Sequence, residues 1–389
     1  MSSKLCIPLF AAACALSPGL CMAGDGPFQP HYEVINLGSL GGVDSAALGI
    51  NDAGTVVGWS STATGQRHAF MYNNGLMTDL GTLVGGTASE AHAINDQDVI
   101  VGSSEINGLG RGFPEIRQGF IWQQGKMNPA GALFCPCSFD VRYGTSFLNG
   151  INDAGQAVGW SGTVRGSLVA HGALWQAEAL QDLGGGAGDR SISHIYAIND
   201  SGQMVGYYAQ DAGKLGTLTF DREATLWQSD GARQSLGSLP GDTTSVALAI
   251  NAGGSAVGWS GSSDGGRAHA VMWRGGSIRD LGVLPGYASS QALAINFQGQ
   301  VVGWSGSADG SFSHAFLWRG GRMLDLNALV RDGSGWVLQQ AAGINILGQI
   351  VGTGMLNGQM CAYLLQPVFE WGFPARRPLQ SMLAQGWEH

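Results

Sequence analysis

Three features of the sequence point to its fold class. An Ile-Asn pair recurs seven times, at Ile50-Asn51, Ile94-Asn95, Ile151-Asn152, Ile198-Asn199, Ile250-Asn251, Ile295-Asn296 and Ile344-Asn345, at intervals of 44 to 57 residues. Seven residues after every Asn stands a glycine: Gly58, Gly102, Gly159, Gly206, Gly258, Gly303 and Gly352. Short β-branched and aromatic runs fill the intervals, separated by glycine turns. This pattern predicts an all-β chain, a seven-bladed β-propeller of four-stranded blades, closed by N- and C-terminal strands in one blade.

Each element of the repeat follows from its residues. Three positions after the Asn there is a glycine in six copies and Asp98 in the other, as in Asn51-Asp52-Ala53-Gly54. Asn and Asp bond their own backbone, and Gly accepts positive φ, so this is a hairpin turn. A Val-Val-Gly-Trp type strand follows. The next strand lines up as His68 to Tyr72, Gln118 to Trp122, His171 to Trp175, Glu223 to Trp227, His269 to Trp273, His314 to Trp318 and Cys361 to Leu365. Its second position is always Ala or Gly, as expected where one sheet packs closely on the next. A third strand ends in Asp-Leu-Gly or a near variant, and a fourth runs into the next Ile-Asn.

Counting the third-strand motif also gives seven, from Leu37-Gly38 to Leu326-Asn327, with a degenerate copy near Met127 to Ala132. The first copy, within His31 to Gly42, precedes any first or second strand, and the last repeat stops at Ala362 to Gln366. The expectation is a ring whose last sheet takes two strands from each chain end, which removes exposed sheet edges.

Met1 to Ala23 reads as a secretory signal: Lys4, an apolar run from Leu5 to Leu16, and small residues before a cut ahead of Gly24. Residues 24–30 form a short lead, 31–366 the propeller and 367–389 a tail. The protein is then periplasmic or extracellular, with no membrane span. The net charge of −9 and a charged fraction of 12% give no electrostatic footprint for nucleic acid. Sixty-four glycines fall at fixed columns beside 44% apolar residues, so the chain reads as folded rather than low-complexity. Beyond the signal, the cysteines are Cys135, Cys137 and Cys361, all disulfide candidates, with free thiols second and metal binding a distant third.

Function on rigid β scaffolds resides in loops. The Asn-Asp-x-Gly and Asn-Asn-Gly turns share one face and are short. The opposite face carries Ser104 to Arg117, Asn128 to Ser146, Val164 to Ala170, Gly184 to His194 and Tyr208 to Arg222. The ligand-binding candidates there are Arg111, Glu115, Arg117, Arg142, Tyr143, Asp211, Lys214, Asp221 and Arg222. The recurrent His68, His171, His269 and His314 read as structural, bonded to a neighbouring strand. The Trp59, Trp160, Trp259, Trp304 column and the Trp122, Trp175, Trp227, Trp273, Trp318 column read as blade-to-blade packing, with sugar stacking as the alternative. Asn95-Asp96-Gln97-Asp98 is an acidic cluster without the residues of a helix-loop-helix calcium site. No nucleophile motif, phosphate loop or dinucleotide fingerprint appears, so the sequence implies no catalytic residue, metal or cofactor.

With the columns laid out, the chain resembles the bacterial extracellular repeat family named for its His-Ala-Phe signature. That signature stands at His68-Ala69-Phe70 and His314-Ala315-Phe316 and, nearly, at His269-Ala270-Val271. Ile-Asn-Asp-x-Gly at Ile50 to Gly54 and Asp-Leu-Gly-x-Leu at Asp79 to Leu83 match as well. The second blade departs from it, with Gln118-Gly119-Phe120 and no Asp-Leu-Gly. The resemblance spans about residues 31 to 366 and implies a secreted repeat domain without a settled activity. The expected function is a monomeric binding module for an extracellular glycan or protein. The alternatives are a polysaccharide hydrolase or lyase using loop carboxylates, Glu115 or Asp140 with Asp221, and a structural surface protein.

Overall fold

The computed structural model describes residues 31–106, 116–133, 145–163, 169–176, 179–184, 191–210, 221–262, 267–331 and 334–368. They form seven four-stranded antiparallel sheets arranged in a ring. Blade one holds β2 (Gly41–Ile50), β3 (Val56–Thr62), β4 (Arg67–Asn73) and β5 (Leu76–Gly81). Blade two holds β6 (Ser89–Ile94), β7 (Ile100–Ile106), β8 (Ile116–Gln123) and β9 (Lys126–Pro129). Blade three holds β10 (Ser146–Ile151), β11 (Ala157–Gly162), β12 (Ala170–Gln176) and β13 (Ala179–Asp182). Blade four holds β14 (Ile192–Ile198), β15 (Met204–Ala209), β16 (Glu223–Trp227) and β17 (Arg233–Ser235). Blade five holds β18 (Thr244–Ile250), β19 (Ala256–Gly261), β20 (Ala268–Arg274) and β21 (Ser277–Gly282). Blade six holds β22 (Ser289–Ile295), β23 (Val301–Gly306), β24 (Ser313–Arg319) and β25 (Arg322–Asp325). Blade seven joins β26 (Trp336–Ile344), β27 (Ile350–Leu356) and β28 (Gln359–Val368) to β1 (His31–Asn36).

The seventh sheet corrects the expected closure. One strand comes from the N-terminal side and three from the C-terminal side, not two from each. The strand that runs into Ile-Asn opens its own sheet, pairing with the Val-Val-Gly strand across the Asn turn, as Ile50 does with Val56. It is the innermost strand of its blade and touches the same strand of both neighbours. Blade two keeps its fourth strand even though its Asp-Leu-Gly is lost.

The Asn column closes the ring. Each Asn side chain donates through Nδ2 to the main-chain oxygen of the next Asn: Asn51 to Asn95, then Asn152, Asn199, Asn251, Asn296 and Asn345, and from Asn345 back to Asn51. The seven bonds measure 3.0–3.2 Å. Each Oδ1 accepts the N–H four residues on, so every buried amide is used at both ends. Asp98, which departs from the Gly column, has φ +57 and accepts a second bond from Asn51 Nδ2.

Steric fit explains two further columns. A Cβ at any of the seven invariant glycines would overlap the main-chain oxygen of the paired innermost strand, that of Ala46 for Gly58 and of His194 for Gly206. The small position of the His-Ala-Phe strand faces the residue four before the next blade's Asn. Where that residue is Ala, as in Ala69 with Ala91 or Ala270 with Ala292, the position is Ala. Where it is Leu148 or Ile195, the position is Gly119 or Gly172, and a Cβ there would strike the larger side chain. Volume is thus kept across the interface. The same strand's N–H donates to a serine six residues before the Asn, as Ala69 does to Ser89 and Gly172 to Ser193.

Candidate functional site

Consecutive antiparallel strands alternate their connections between two faces. Because all seven Asn turns meet in one ring, they occupy one face together, and the longer connections emerge on the other. The two longest of these follow Pro129 and Ala209, in blades two and four.

The recurrent histidines are structural. His68, His171, His269 and His314 each place Nδ1 2.7–3.0 Å from the Asp of their own blade's Asp-Leu motif, at Asp79, Asp182, Asp280 and Asp325. That carboxylate also accepts the N–H two residues on, as Asp79 does from Gly81, so the pair ties the third strand to the fourth. In blade four the same two positions are Glu223 and Ser235, and the serine hydroxyl donates to the carboxylate. Among the outer tryptophans, Trp175, Trp227 and Trp273 donate Nε1–H to main-chain oxygens of the preceding blade, which supports the packing reading.

The innermost strands carry two columns that differ from blade to blade, five and three residues before the Asn. In blades two to four they are Glu90 and His92, Phe147 and Asn149, His194 and Tyr196; all six are part-exposed. In the other four blades they are Val246 and Leu248, Gln291 and Leu293, Gln340 and Ala342, Ala46 and Leu48. The innermost strands of blades two to four are thus aromatic and ionisable, and these blades carry the two longest connections.

Glu90 anchors the first part of this wall. Arg67 Nη1 reaches its Oε1 at 3.0 Å, and Arg117 Nη1 and Nη2 reach the same oxygen at 3.1 Å. Burial raises the Glu90 pKa, but the bonds and charges of Arg67 and Arg117, with His92, outweigh it and hold the carboxyl below its ordinary value. Burial lowers the pKa of His92, whose Nδ1 lies 2.8 Å from Leu148 O.

The second part is an aromatic stack. The Phe147 and Trp160 rings are 4.5 Å apart and inclined by 17°, and Trp160 and His194 are 4.7 Å apart and inclined by 10°. Tyr207 lies 5.0 Å and Tyr196 6.4 Å from the His194 ring. Burial, helped by the charge of Arg222, lowers the His194 pKa to about 4. Burial and the neighbouring Tyr207 push that of Tyr196 up to about 12, and burial raises that of Tyr207. At neutral pH the imidazole is therefore uncharged and both phenols keep their protons. Among the described residues, none hydrogen-bonds the His194 ring or either hydroxyl. Trp160 packs as expected between blades, its part-exposed ring held between Phe147 of its own blade and His194 of the next.

Of the loop residues singled out in sequence, Arg117 is paired with Glu90 and Asp221 is exposed. The exposed Arg222 holds its guanidinium 5.2 Å from the Tyr207 ring centre. Arg111, Glu115, Arg142, Tyr143, Asp211 and Lys214 lie outside the described residues, as do Asp140, Cys135 and Cys137. Cys361 is a free thiol whose pKa is raised by burial and by Asp44. In the Asn95 to Asp98 cluster, one oxygen of Asp96 accepts from Asp52 N and one of Asp98 from Asn51 Nδ2. Among the described residues no group of three or more His, Cys, Asp or Glu is placed to hold a metal, and no helix is long and apolar enough to cross a membrane. Sequence reasoning missed Glu90, His92, Phe147, His194 and Tyr196 because it searched loops. The available signal was the variability of two columns inside an otherwise uniform strand.

Compared by sequence, the chain matches no protein-family model and no curated protein. Among solved structures it is similar to an acylaminoacyl peptidase from Pyrococcus horikoshii, at 11% identity over 73% of this chain and 45% of that one, with a TM-score of 0.48. It is also similar to a streptogramin B lyase, at 11% identity over 87% and 98%, with a TM-score of 0.47. The β-propeller domain of the trilobed protease from Pyrococcus furiosus gives 8% identity over 85% and 100%, with a TM-score of 0.46. The chain spans less than half the length of the peptidase. At these identities the likeness concerns the fold alone, and no argument about activity rests on it.

Proposed function

We propose that the protein is a glycan-binding module that uses the long-loop face of blades two to four. The observation that carries this reading is the part-exposed stack of Phe147, Trp160 and His194 on the inner strands of blades three and four, with part-exposed Tyr196 and buried Tyr207 beside it. The rings of the stack cover one another's faces and leave a part-exposed apolar edge for a sugar ring, and polar groups beside that edge take its hydroxyls. The His194 ring nitrogens and the two phenols supply such groups. A hydrolytic reading needs a carboxyl poised to give a proton, and Glu90 is held ionised by two arginines. In this proposal the chain is a secreted member of the His-Ala-Phe repeat family and its glycan lies outside the cell. The test is retention on a panel of bacterial and plant polysaccharides, with new chain ends followed in parallel. Retention without new ends is expected, lost in Trp160→Ala while the circular dichroism spectrum is unchanged. New chain ends would move the protein to the enzyme class, and retention undiminished in Trp160→Ala would place the site elsewhere.

A further inference from the structure

Three arginines occupy one column, the position just before the His-Ala-Phe triplet: Arg67 in blade one, Arg117 in blade two and Arg222 in blade four. The first two converge on a single carboxylate, Glu90, which stands five residues before the Asn of blade two. Arg67 reaches it from the preceding blade and Arg117 from the same blade. For Arg222 the equivalent positions are His194 in its own blade and Val246 in the next. Neither can accept a proton-bearing cation's bonds as a carboxylate does, since His194 is an aromatic base in the stack and Val246 is apolar and buried. No ion pair to Arg222 is formed among the described residues, although its main-chain oxygen is fixed by Ser245 N at 2.8 Å and Thr244 Oγ1 at 3.1 Å. The repeat therefore places at the edge of an aromatic wall a guanidinium without a carboxylate partner among the described residues, on a backbone held by the next blade.

We infer that the wall takes an acidic sugar, one that lies against the part-exposed edge of the Phe147, Trp160 and His194 stack while its carboxylate meets Arg222. The inference rests on the glycan reading above and adds the ligand's charge. A guanidinium presents paired donors that match a carboxylate, and bonds of this charge-assisted kind are about twice as strong as neutral ones. Tyr207 lies under the guanidinium and Tyr196 beyond His194, so a planar carboxylate at Arg222 finds phenol donors within the same wall. The charged cluster of blade two contributes no free cation, because Glu90 pairs with both Arg67 and Arg117.

The experiment is calorimetric titration of the full chain with tetragalacturonic acid, with its methyl ester, and with a neutral galactan tetrasaccharide. Expected is binding of the acid at least about tenfold tighter than of the ester, a preference that weakens with added salt. Arg222→Gln should bring the acid down to the level of the ester and leave ester binding unchanged; Arg222→Lys should recover part of the preference. Equal affinity for acid and ester, unmoved by Arg222→Gln, would overturn the acidic-sugar inference and leave the glycan reading standing. Binding of none of the three, together with no retention on any polysaccharide of the wider panel, would overturn both.

Discussion

The closure of the ring is tested most directly at Asn345. Its Nδ2 donates to Asn51 O at 3.1 Å across 294 residues of sequence and to Gln349 Oε1 at 2.7 Å. Its Oδ1 accepts from Gln349 N at 3.0 Å and Leu347 N at 3.1 Å. In Asn345→Ala the Gln349 N–H is left without a partner, a loss of about 1–3 kcal/mol for a buried donor. Asn51 O keeps the Gly54 N–H at 3.0 Å, so its loss is smaller, about 1 kcal/mol, and the Leu347 N–H sits in an exposed turn where water serves. The sum is roughly 2–4 kcal/mol, which at about 2 °C per kcal/mol for a chain of this size lowers the melting temperature by roughly 4–8 °C. Calorimetry of this variant beside Asn251→Ala is the decisive pair, because the bond from Asn251 to Asn296 spans only 45 residues. In a closed ring the two losses are similar, since each variant removes one bond to the next Asn and one from the N–H four residues on, whatever the separation along the chain. A melting temperature within 1 °C of wild type for Asn345→Ala, with Asn251→Ala several degrees lower, would mean that blades seven and one are not joined.

Acid should destabilise the fold. His194 has a folded pKa of about 4 against an ordinary value of 6.5, so between these limits the unfolded chain binds a proton that the folded chain refuses. Stability from this residue is present above pH 6.5 and is lost as the pH falls to about 4, by roughly 2–3 kcal/mol after allowing for its part-exposure. His92 adds a loss of the same sign, and Glu90, whose folded pKa lies below 4.5, adds another as the unfolded chain protonates. Urea midpoints at several pH values check this: His194→Gln should flatten the profile, and an unchanged slope refutes the assignment. Within the His-Asp column, His171→Ala should destabilise by roughly 2–4 kcal/mol, because His171 is 1% exposed and its deletion leaves a cavity. His269→Ala, whose side chain is 24% exposed, should lose about 1 kcal/mol or less, and equal losses in thermal denaturation would contradict the burial argument.

Much of the fold was legible because it is written seven times. The Gly58 column and the Ala69 column each report a steric limit, and such limits leave a small residue, Gly alone in the first and Ala or Gly in the second, at the same place in every copy. The frame of the blade was not legible. A four-strand repeat reads the same from whichever strand counting starts, and only the pairing of His31 to Asn36 with Tyr363 to Val368 shows where one sheet ends. The Asn column was read as turn chemistry, which is half its role; the donation to the next blade leaves no mark in a single copy. The candidate site was legible least. Glu90, Phe147 and His194 share a column with Ala46, Val246, Gln291 and Gln340, which carries no common residue type, and attention went to charged loops instead. Arg222 was singled out among those loops, but its lack of a carboxylate became visible only beside the Glu90 of blade two.

His31 and Val368 face each other across blade seven. Topologically the described chain is a circle with a slit, and the slit is the one junction held by pairing alone, without a peptide bond running through the sheet. Opening must therefore begin there more easily than elsewhere, as frayed ends do in any cooperative assembly. Counting around seven places, the positions opposite blade seven are blades three and four. Phe147, Trp160, His194 and Tyr207 thus stand at the point of the circumference where such breathing is felt last.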